Sequence, residues 1–195
     1  MTLIQSILLG IIQGLTEFLP ISSSAHLVFT PYLLGWNISH QTQFIFDVLV
    51  QLGTLVAVIV YFWKDLLDIL KSVLLGIIHK NPFDDLHSRL GWYLILATIP
   101  AVLAGLFLKD VVEQAFSSPL ATAIFLIITA IFLLSAERFG RKTQTLQQLG
   151  WFDALVIGCF QAVSLFPGVS RSGSTITAGM LRQLDRQSAA RFSFL

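Results

Sequence analysis

Two short polar segments, each containing a proline, interrupt otherwise apolar sequence. Residues 10–26 carry Gln13, Glu17 and His26 around three consecutive serines, and residues 158–175 carry Arg171 among hydroxyl side chains. Both segments run glycine, two apolar residues, glutamine, a short apolar stretch, an aromatic residue near a proline and a serine-rich turn. Hydrocarbon tolerates ionisable side chains and broken helices only where protein or a water-filled cavity surrounds them. The repetition therefore predicts one polar site built from two halves.

The first segment offers a carboxylate, hydroxyl groups and an acid/base group. Gln13 and Glu17 are four residues apart and share one face of a helix. A carboxylate in an apolar stretch needs a proton, a cation or a metal ion to neutralise it. Ser22, Ser23 and His26 follow within ten residues of it. The alternatives are an interfacial carboxylate, a core histidine and serines that only cap a broken helix.

The second segment offers groups that bind an anion. Arg171 presents a planar fork of donors that matches phosphate oxygens. Ser170, Ser172 and Thr175 add hydroxyl groups, and the start of a new helix adds free N–H groups. The combination favours a phosphorylated ligand. The alternative is a structural Arg171 that pairs with Glu17 or caps a helix.

Together the two halves contain the parts that phosphoryl transfer requires. These parts are an in-line nucleophile, neutralisation of the equatorial oxygens and protonation of the leaving group. A carboxylate also suits a divalent cation that bridges phosphates. A substrate that reaches such a site within a membrane is expected to carry a lipid tail.

The composition indicates an integral membrane protein. Hydrophobic residues make up 55% of the 195 residues and charged residues only 12%, about half the charged share of a soluble domain. A net charge of +1 gives no case for nucleic-acid binding. The single cysteine excludes an intrachain disulfide and a site with several thiolate ligands.

The apolar pattern predicts a single all-α membrane domain over residues 1–195. Three spans are expected at residues 44–63, 90–108 and 115–136, with residues 66–78 as an interfacial or connecting helix. Residues 1–36 and 151–184 are each predicted to form a re-entrant helix hairpin, divided at Pro20 and Pro167. Ser22 or Ser23 would cap the new helix in the first hairpin and Ser170 in the second. Continuous, kinked spans are the alternative.

Loop charges predict the orientation of the chain. Residues 64–89 hold four basic side chains and residues 138–150 hold three, including Lys142, whereas Lys109 is accompanied by Asp110 and Glu113. The positive-inside rule places the first two connections in the cytoplasm and the third outside. Three spans separate the two motifs, and an odd number inverts the second motif relative to the first. The predicted architecture is therefore a polytopic helical bundle with an inverted-topology repeat.

At these residues the chain closely resembles the undecaprenyl-diphosphate phosphatase family, also known as the bacitracin-resistance BacA/UppP type. The family's (E/Q)-x-x-x-E motif is matched from Gln13 to Glu17, and its PGxSRSxxT motif is matched in full by residues 167–175. The stretch Leu-Pro-Ile-Ser-Ser-Ser-Ala-His at residues 19–26 is also similar. The resemblance extends over the whole chain, and Gln13 stands where many members have glutamate.

The resemblance implies hydrolysis of undecaprenyl diphosphate to undecaprenyl phosphate and inorganic phosphate, which regenerates the lipid carrier of cell-wall synthesis. It implies a multi-pass protein of the bacterial inner membrane whose site faces the periplasm, with a homodimer as an open possibility. It also implies a divalent cation, Mg²⁺ or Ca²⁺, held by Glu17 and Gln13. Members continue through further spans, so the chain is expected to be truncated at its C-terminus.

The same resemblance implies roles for individual residues. Ser23 is expected to attack the terminal phosphorus with help from His26, while Glu17 polarises the nucleophile or holds the cation and Arg171 grips the phosphate. The expected substrate-binding residues are Gln13, Ser22, Ser170, Ser172 and Thr175. His26 or a metal-bound water remains an alternative nucleophile. A lipid-diphosphate transporter or flippase is the alternative function, because inverted repeats with broken helices are also transporter architecture.

Overall fold

The computed structural model describes residues 1–116, 118–141 and 143–195, without the side chain of His40. Lys142, one of the basic residues that orient the chain, lies outside the described residues. Within these ranges the chain is helical, apart from turns and one isolated bridge between Gln144 and Leu184. The helices are α1 (Leu3–Thr16), α2 (Ser23–Leu33), α3 (His40–Ile78), α4 (Leu86–Phe107), α5 (Lys109–Phe116), α6 (Pro119–Phe139), α7 (Trp151–Val163), α8 (Arg171–Leu181) and α9 (Arg186–Phe194).

Three of these helices are long and apolar enough to cross a membrane. They are α3, α4 and α6, and the last two contain 22 and 21 residues. At 1.5 Å per residue each of those two is about 32 Å long, close to the thickness of a hydrocarbon core. The prediction of an all-α, multi-pass membrane protein is confirmed at this level.

The predicted connecting helix at residues 66–78 is wrong as a separate element. It continues the first span without a break, as the C-terminal part of the 39-residue helix α3. Trp63, Lys64 and Asp65 include no glycine or proline, so nothing in the backbone ends the helix there. A helix of this length is about 58 Å long and extends well beyond a core of about 30 Å. The charges that suggested a separate helix therefore mark the part of α3 outside the hydrocarbon.

The third predicted span starts too early. Residues 115–116 belong to the short helix α5, and α6 begins only at Pro119. Ser118 caps α6 by accepting a hydrogen bond from the N–H of Ala121 at 3.2 Å. Proline at the first helical position and serine before it are a helix-start signal. The apolar run of the sequence conceals this boundary.

The two predicted helix breaks are confirmed. In the first polar segment α1 ends at Thr16 and α2 begins at Ser23, and in the second α7 ends at Val163 and α8 begins at Arg171. In each pair the two helices pack against each other. Ser22 is the N-cap of α2 and Ser170 is the N-cap of α8, as predicted.

The second half of the chain packs most tightly. Helix α7 lies against α4 at Gly158, where a Cβ atom would come within 2.4 Å of the carbonyl oxygen of Ala97. The two backbones therefore touch, as small residues allow in membrane helices. Helix α8 packs against α6, α7 and α9, and eight of its eleven residues are buried. This arrangement fixes the start of α8, where Arg171 lies.

Candidate active site

The carboxylate of Glu17 is the centre of the site. Glu17 directly follows α1, and its N–H still donates to the carbonyl of Gln13 at 2.9 Å. The Gln13 amide Nε2 donates to Glu17 Oε2, also at 2.9 Å. The shared helix face predicted for this pair is confirmed. The side chain of Glu17 is 12% exposed, so most of its hydrogen-bonding capacity must be met by protein groups.

Ser23 is placed against this carboxylate by the break between α1 and α2. Its Oγ donates to Glu17 Oε2 at 2.5 Å. Hydrogen bonds from a hydroxyl to a carboxylate are short because the acceptor is charged. A carboxylate in this position can receive the hydroxyl proton when the serine oxygen attacks an electrophile.

Ser22 serves the turn that presents Ser23. Its backbone has φ 65 and ψ 93, a conformation that residues other than glycine rarely adopt. Its Oγ accepts from the N–H of Ala25 at 3.3 Å and lies 3.1 Å from Ser24 Oγ. The side chain of Ser22 is buried and capping, so the structure does not bring this predicted substrate-binding residue to an open surface.

His26 has one ring nitrogen engaged by the same turn. Its Nδ1 lies 2.8 Å from the carbonyl oxygen of Ser22. Because a carbonyl oxygen only accepts, Nδ1 carries the proton and Nε2 of the neutral ring is the acceptor. Among the described residues His26 has no hydrogen bond to Ser23. The serine that the sequence paired with histidine is instead paired with Glu17.

Arg171 brings the second segment to the first. It is the first residue of α8, and its Nη2 donates to Glu17 Oε1 at 2.5 Å. Ser23 and Arg171 therefore bind different oxygens of one carboxylate, which stands between them. The pairing that the sequence offered as an alternative role is present. The Arg171 side chain is 62% exposed, and the rest of its guanidinium remains open to a ligand.

The predicted hydroxyl groups around Arg171 divide into two kinds. Ser170 Oγ accepts from the N–H of Gly173 at 3.0 Å and is 3.3 Å from Ser172 Oγ, which makes Ser170 a buried cap. Ser172 and Thr175 are also buried as residues, but both contribute to the lining of a cavity beside Arg171.

The turn before Arg171 packs directly on α6. Gly168 has φ +97, and a Cβ atom there would come within 2.2 Å of the carbonyl oxygen of Thr122. Its N–H donates to Ser24 Oγ at 3.3 Å, which links the two polar segments a second time. Glycine is required here by both the conformation and the close approach.

Thr129, which lies within α6, holds this turn through two hydrogen bonds. Its Oγ1 donates to the carbonyl of Gly168 at 3.0 Å and accepts from the N–H of Ser170 at 2.9 Å. Thr129 was not among the predicted site residues, because the sequence of an apolar span does not indicate which of its threonines contacts a turn about 40 residues away.

We expect Thr129→Val to lower the free energy of unfolding by about 2–6 kcal/mol and to weaken substrate binding. Valine keeps the shape but leaves one buried carbonyl and one buried N–H without a partner, each costing about 1–3 kcal/mol. Thermal unfolding in detergent and KM for hydrolysis measure the two effects. Thr129→Ser retains the hydroxyl and is the control. A valine variant with parental stability and KM would contradict the assignment.

A cavity of about 560 Å³ opens beside the Glu17–Arg171 pair. Its polar lining includes five residues that were not predicted to belong to the site: Gln51, Thr54, Thr98, Gln161 and Ser193. Gln161 occupies the place of Gln13 in the second motif, a signal that could have identified it. Ser23 and His26 are not among the residues that line this cavity.

A larger cavity of about 1030 Å³ lies elsewhere, between α2, α3, α5 and α6. Its charged lining residues are Asp47, Asp110 and Glu113, and none of the predicted site residues contributes to it. The candidate site is therefore assigned to the smaller cavity, where residues from both polar segments meet.

The predicted cation ligands, Gln13 and Glu17, lie next to each other but are only two residues. Gln13 is 1% exposed, and its Oε1 is buried without a hydrogen-bond partner. Glu17 adds one carboxylate, already contacted by Gln13, Ser23 and Arg171. No group of three or more His, Cys, Asp or Glu residues among those described is arranged to hold a metal ion. A cation held by these two side chains would need its remaining ligands from a substrate or from water.

The sequence is similar to proteins with a known activity. The profile of the family described as bacitracin resistance protein BacA matches residues 6–195. An undecaprenyl-diphosphatase from Thermomicrobium roseum is 47% identical over 98% of this chain and 70% of its own length. An undecaprenyl-diphosphatase from Chlorobium phaeovibrioides is 46% identical over 100% of the chain and 71% of its own. An undecaprenyl-diphosphatase 1 from Pseudoalteromonas translucida is 47% identical over the same two shares. The chain belongs to the bacitracin resistance protein BacA family.

Proposed function

We propose that this chain hydrolyses undecaprenyl diphosphate to undecaprenyl phosphate and inorganic phosphate, and so recycles the lipid carrier of cell-wall synthesis. The observation that carries the proposal is the placement of Glu17, which accepts from Ser23 in the first polar segment and from Arg171 in the second. The proposed nucleophile, Ser23, and the phosphate-binding guanidinium of Arg171 thus both contact the Glu17 carboxylate, which is the proposed base. The names of the relatives, which are undecaprenyl-diphosphatases, support the same activity.

In the first step the Ser23 oxygen attacks the terminal phosphorus, and the bond from that phosphorus to the bridging oxygen breaks. Glu17 Oε2, 2.5 Å from the hydroxyl, receives the proton. Undecaprenyl phosphate leaves with the bonding electrons, and the phosphoryl group remains on Ser23. Arg171 exchanges its partner from Glu17 to the phosphate oxygens, where it neutralises the charge of the transferring group.

In the second step water attacks the phosphoserine and inorganic phosphate leaves. Glu17 returns its proton to the Ser23 oxygen. His26 acts as base or shuttle for the attacking water, since its Nε2 is the unprotonated nitrogen when Nδ1 donates to Ser22. The short contact between Ser23 and Glu17 favours Ser23 over His26 as the nucleophile. In the alternative mechanism a water molecule attacks the terminal phosphorus directly, and no phosphoserine forms.

A divalent cation, Mg²⁺ or Ca²⁺, is proposed to bind at Glu17 and the unpartnered Oε1 of Gln13. It would supply additional neutralisation of the diphosphate charge. Its affinity for the protein alone should be low, because Gln13 contributes no charge where a glutamate would.

The lipid tail is proposed to follow the apolar wall of the cavity. That wall comes largely from α3, including Val48, Leu52 and Leu55, and leads from the polar pair toward hydrocarbon. The two polar segments would be re-entrant hairpins of an inverted-topology repeat, since three long apolar helices separate them. We propose that the protein lies in the bacterial inner membrane with the site facing the periplasm, as the family resemblance implies, and the loop charges agree with that topology. Pairing of two chains as a homodimer is a further proposal.

The test of this function is phosphate release from undecaprenyl diphosphate by the purified chain in detergent. We expect release that falls when a chelator is added and returns with Mg²⁺ or Ca²⁺. We also expect Gln13→Glu to shift half-maximal activity to a lower cation concentration, because it adds a charged ligand. Activity that is indifferent to chelation would contradict the cation proposal. A folded chain that moves the lipid across vesicles without releasing phosphate would instead identify a flippase.

A further inference from the structure

We propose that Ser193, on α9, is an additional phosphate-binding residue of this site. The inference rests on the proposed function, since it takes the diphosphate head group as the ligand. Ser193 lines the 560 Å³ cavity together with Glu17 and Arg171, and its hydroxyl lies 2.6 Å from Thr175 Oγ1.

The end of α9 is held against the site from three sides. Ala189 packs on α8, where a Cβ atom on Gly179 would come within 3.1 Å of the Ala189 Cβ. Arg191 donates to Asp65 of α3 at 2.6 Å. The ring of Phe194 lies 6.0 Å from the ring of Phe18, just after Glu17. These contacts attach α9 to both polar segments, so the position of Ser193 relative to Arg171 is fixed by the fold.

The Ser193 hydroxyl is directed away from the backbone of its own helix. Ser135 and Thr98 donate to carbonyl oxygens of their own helices, at 2.6 and 2.8 Å. This is the common way to satisfy a hydroxyl in an apolar helix. Among the described residues Ser193 has no such bond, and its partner is Thr175 of another helix. Its hydroxyl is thus directed toward the cavity wall that Thr175 and Ser172 form.

The hydrogen bonds of Ser193 and Thr175 can rearrange so that Ser193 donates to a phosphate. A hydroxyl carries one proton and two lone pairs. Thr175 Oγ1 lies 2.9 Å from the carbonyl of Arg171, to which it donates while Ser193 donates to Thr175. When a phosphate oxygen enters, the order can reverse without movement of a heavy atom. Thr175 then donates to Ser193, and Ser193 donates to the phosphate. Such chains strengthen each bond within them.

The surroundings favour a phosphate over a neutral ligand at this hydroxyl. Arg171 provides a cation on the same cavity, and Ser172 provides a second hydroxyl group. Phe192 and Phe194 flank Ser193 and also line the cavity, so its hydroxyl lies where a polar head would meet an apolar tail. A phosphate oxygen at this boundary gains from a donor because water is scarce there.

The test is the Kd of a non-hydrolysable methylenediphosphonate carrying a polyprenyl tail, measured with Ser193→Ala and the parent chain in detergent. We expect Kd to rise by about tenfold to a hundredfold, the usual effect of losing a hydrogen bond to a charged group. Ser193→Thr keeps the hydroxyl and should bind within about threefold of the parent. Ser135→Ala, which removes a half-buried serine hydroxyl of α6, is the control and should leave Kd unchanged.

A purely structural Ser193 would give a different result. In that case Ser193→Ala lowers the thermal midpoint of unfolding but leaves Kd unchanged below it, and this outcome overturns the inference. If the alanine variant does not fold, Ser193→Cys replaces it, because a thiol has similar volume and donates weakly. Phosphate release by the parent is measured separately. If the parent releases phosphate but Ser193→Ala has an unchanged Kd, only the inference about Ser193 is wrong. If Ser193→Ala has a raised Kd but the parent releases no phosphate, only the proposed hydrolysis is wrong.

Discussion

Glu17→Gln is expected to lower kcat for undecaprenyl diphosphate by about 10²- to 10⁴-fold, the range that general-base catalysis contributes. The amide has nearly the same shape, but it cannot receive the proton of Ser23 and does not carry the charge that pairs with Arg171. KM should change much less, because the phosphate-binding groups of α8 remain in place. Phosphate release at saturating substrate measures the effect.

Asp153→Asn is the matched control for this substitution. It also removes a carboxylate that accepts from an arginine, Arg182, and it has the same 12% side-chain exposure as Glu17, but it lies outside the cavity lining. We expect near-parental kcat from it. Glu17→Gln with kcat within about threefold of the parent would rule out Glu17 as the base. A radiolabel from the terminal phosphate that is trapped on Ser23 of the parent would support the covalent step. A label found on His26 instead would identify His26 as the nucleophile.

The broken helices were predictable because their signals are local. Proline disfavours helix in the residue before it, and serine caps a new helix, so Pro20, Ser22, Pro167 and Ser170 identified both breaks from a few residues each. Glu17 and Arg171 were identified as site residues for a related reason. An ionisable side chain in an apolar segment needs a partner, and the pairing of Arg171 with Glu17 was one of the alternatives that the sequence offered.

The boundaries of the spans were less predictable because hydropathy does not report backbone continuity. The helix α3 passes through Lys64 and Asp65, since charged residues in a helix are tolerated once the helix leaves the hydrocarbon. The end of α5 was not predictable from hydropathy, because Ala115 and Phe116 are as apolar as the span that follows them. The helix α6 begins only three positions after the last residue of α5.

Thr129 and Ser193 were not predictable because their roles depend on tertiary contacts. Each is a single hydroxyl in a helix, and most such hydroxyls bond to their own backbone. Only the packing of α6 on the turn at Gly168, and of α9 on α8, directs these two toward the site. For Ser23 the sequence offered both Glu17 and His26 as partners. The path of the chain around Pro20, which the residue types alone do not determine, pairs it with Glu17.

We expect Arg171→Ala to lower kcat/KM by about 10³- to 10⁵-fold, the effect of removing an arginine that neutralises a transferring phosphoryl group. The reason is geometric as well as electrostatic. Arg171 is the first residue of α8, so its guanidinium and the free N–H groups of the helix start face the same ligand. Phosphate release at low substrate concentration measures the loss.

Two further variants separate the charge of Arg171 from its shape and from its pairing. Arg171→Lys keeps a cation but not the planar fork, and we expect it to recover only part of the activity. Arg186→Ala removes an arginine of similar exposure, 64% against 62%, whose partner is Glu137 at the far end of α6, and should leave kcat/KM unchanged. If Arg171 serves only to neutralise Glu17, the double variant Glu17→Gln, Arg171→Ala should be more active than Arg171→Ala alone. We expect it to be less active, because in the proposed mechanism the carboxylate and the guanidinium act on different atoms of the reaction.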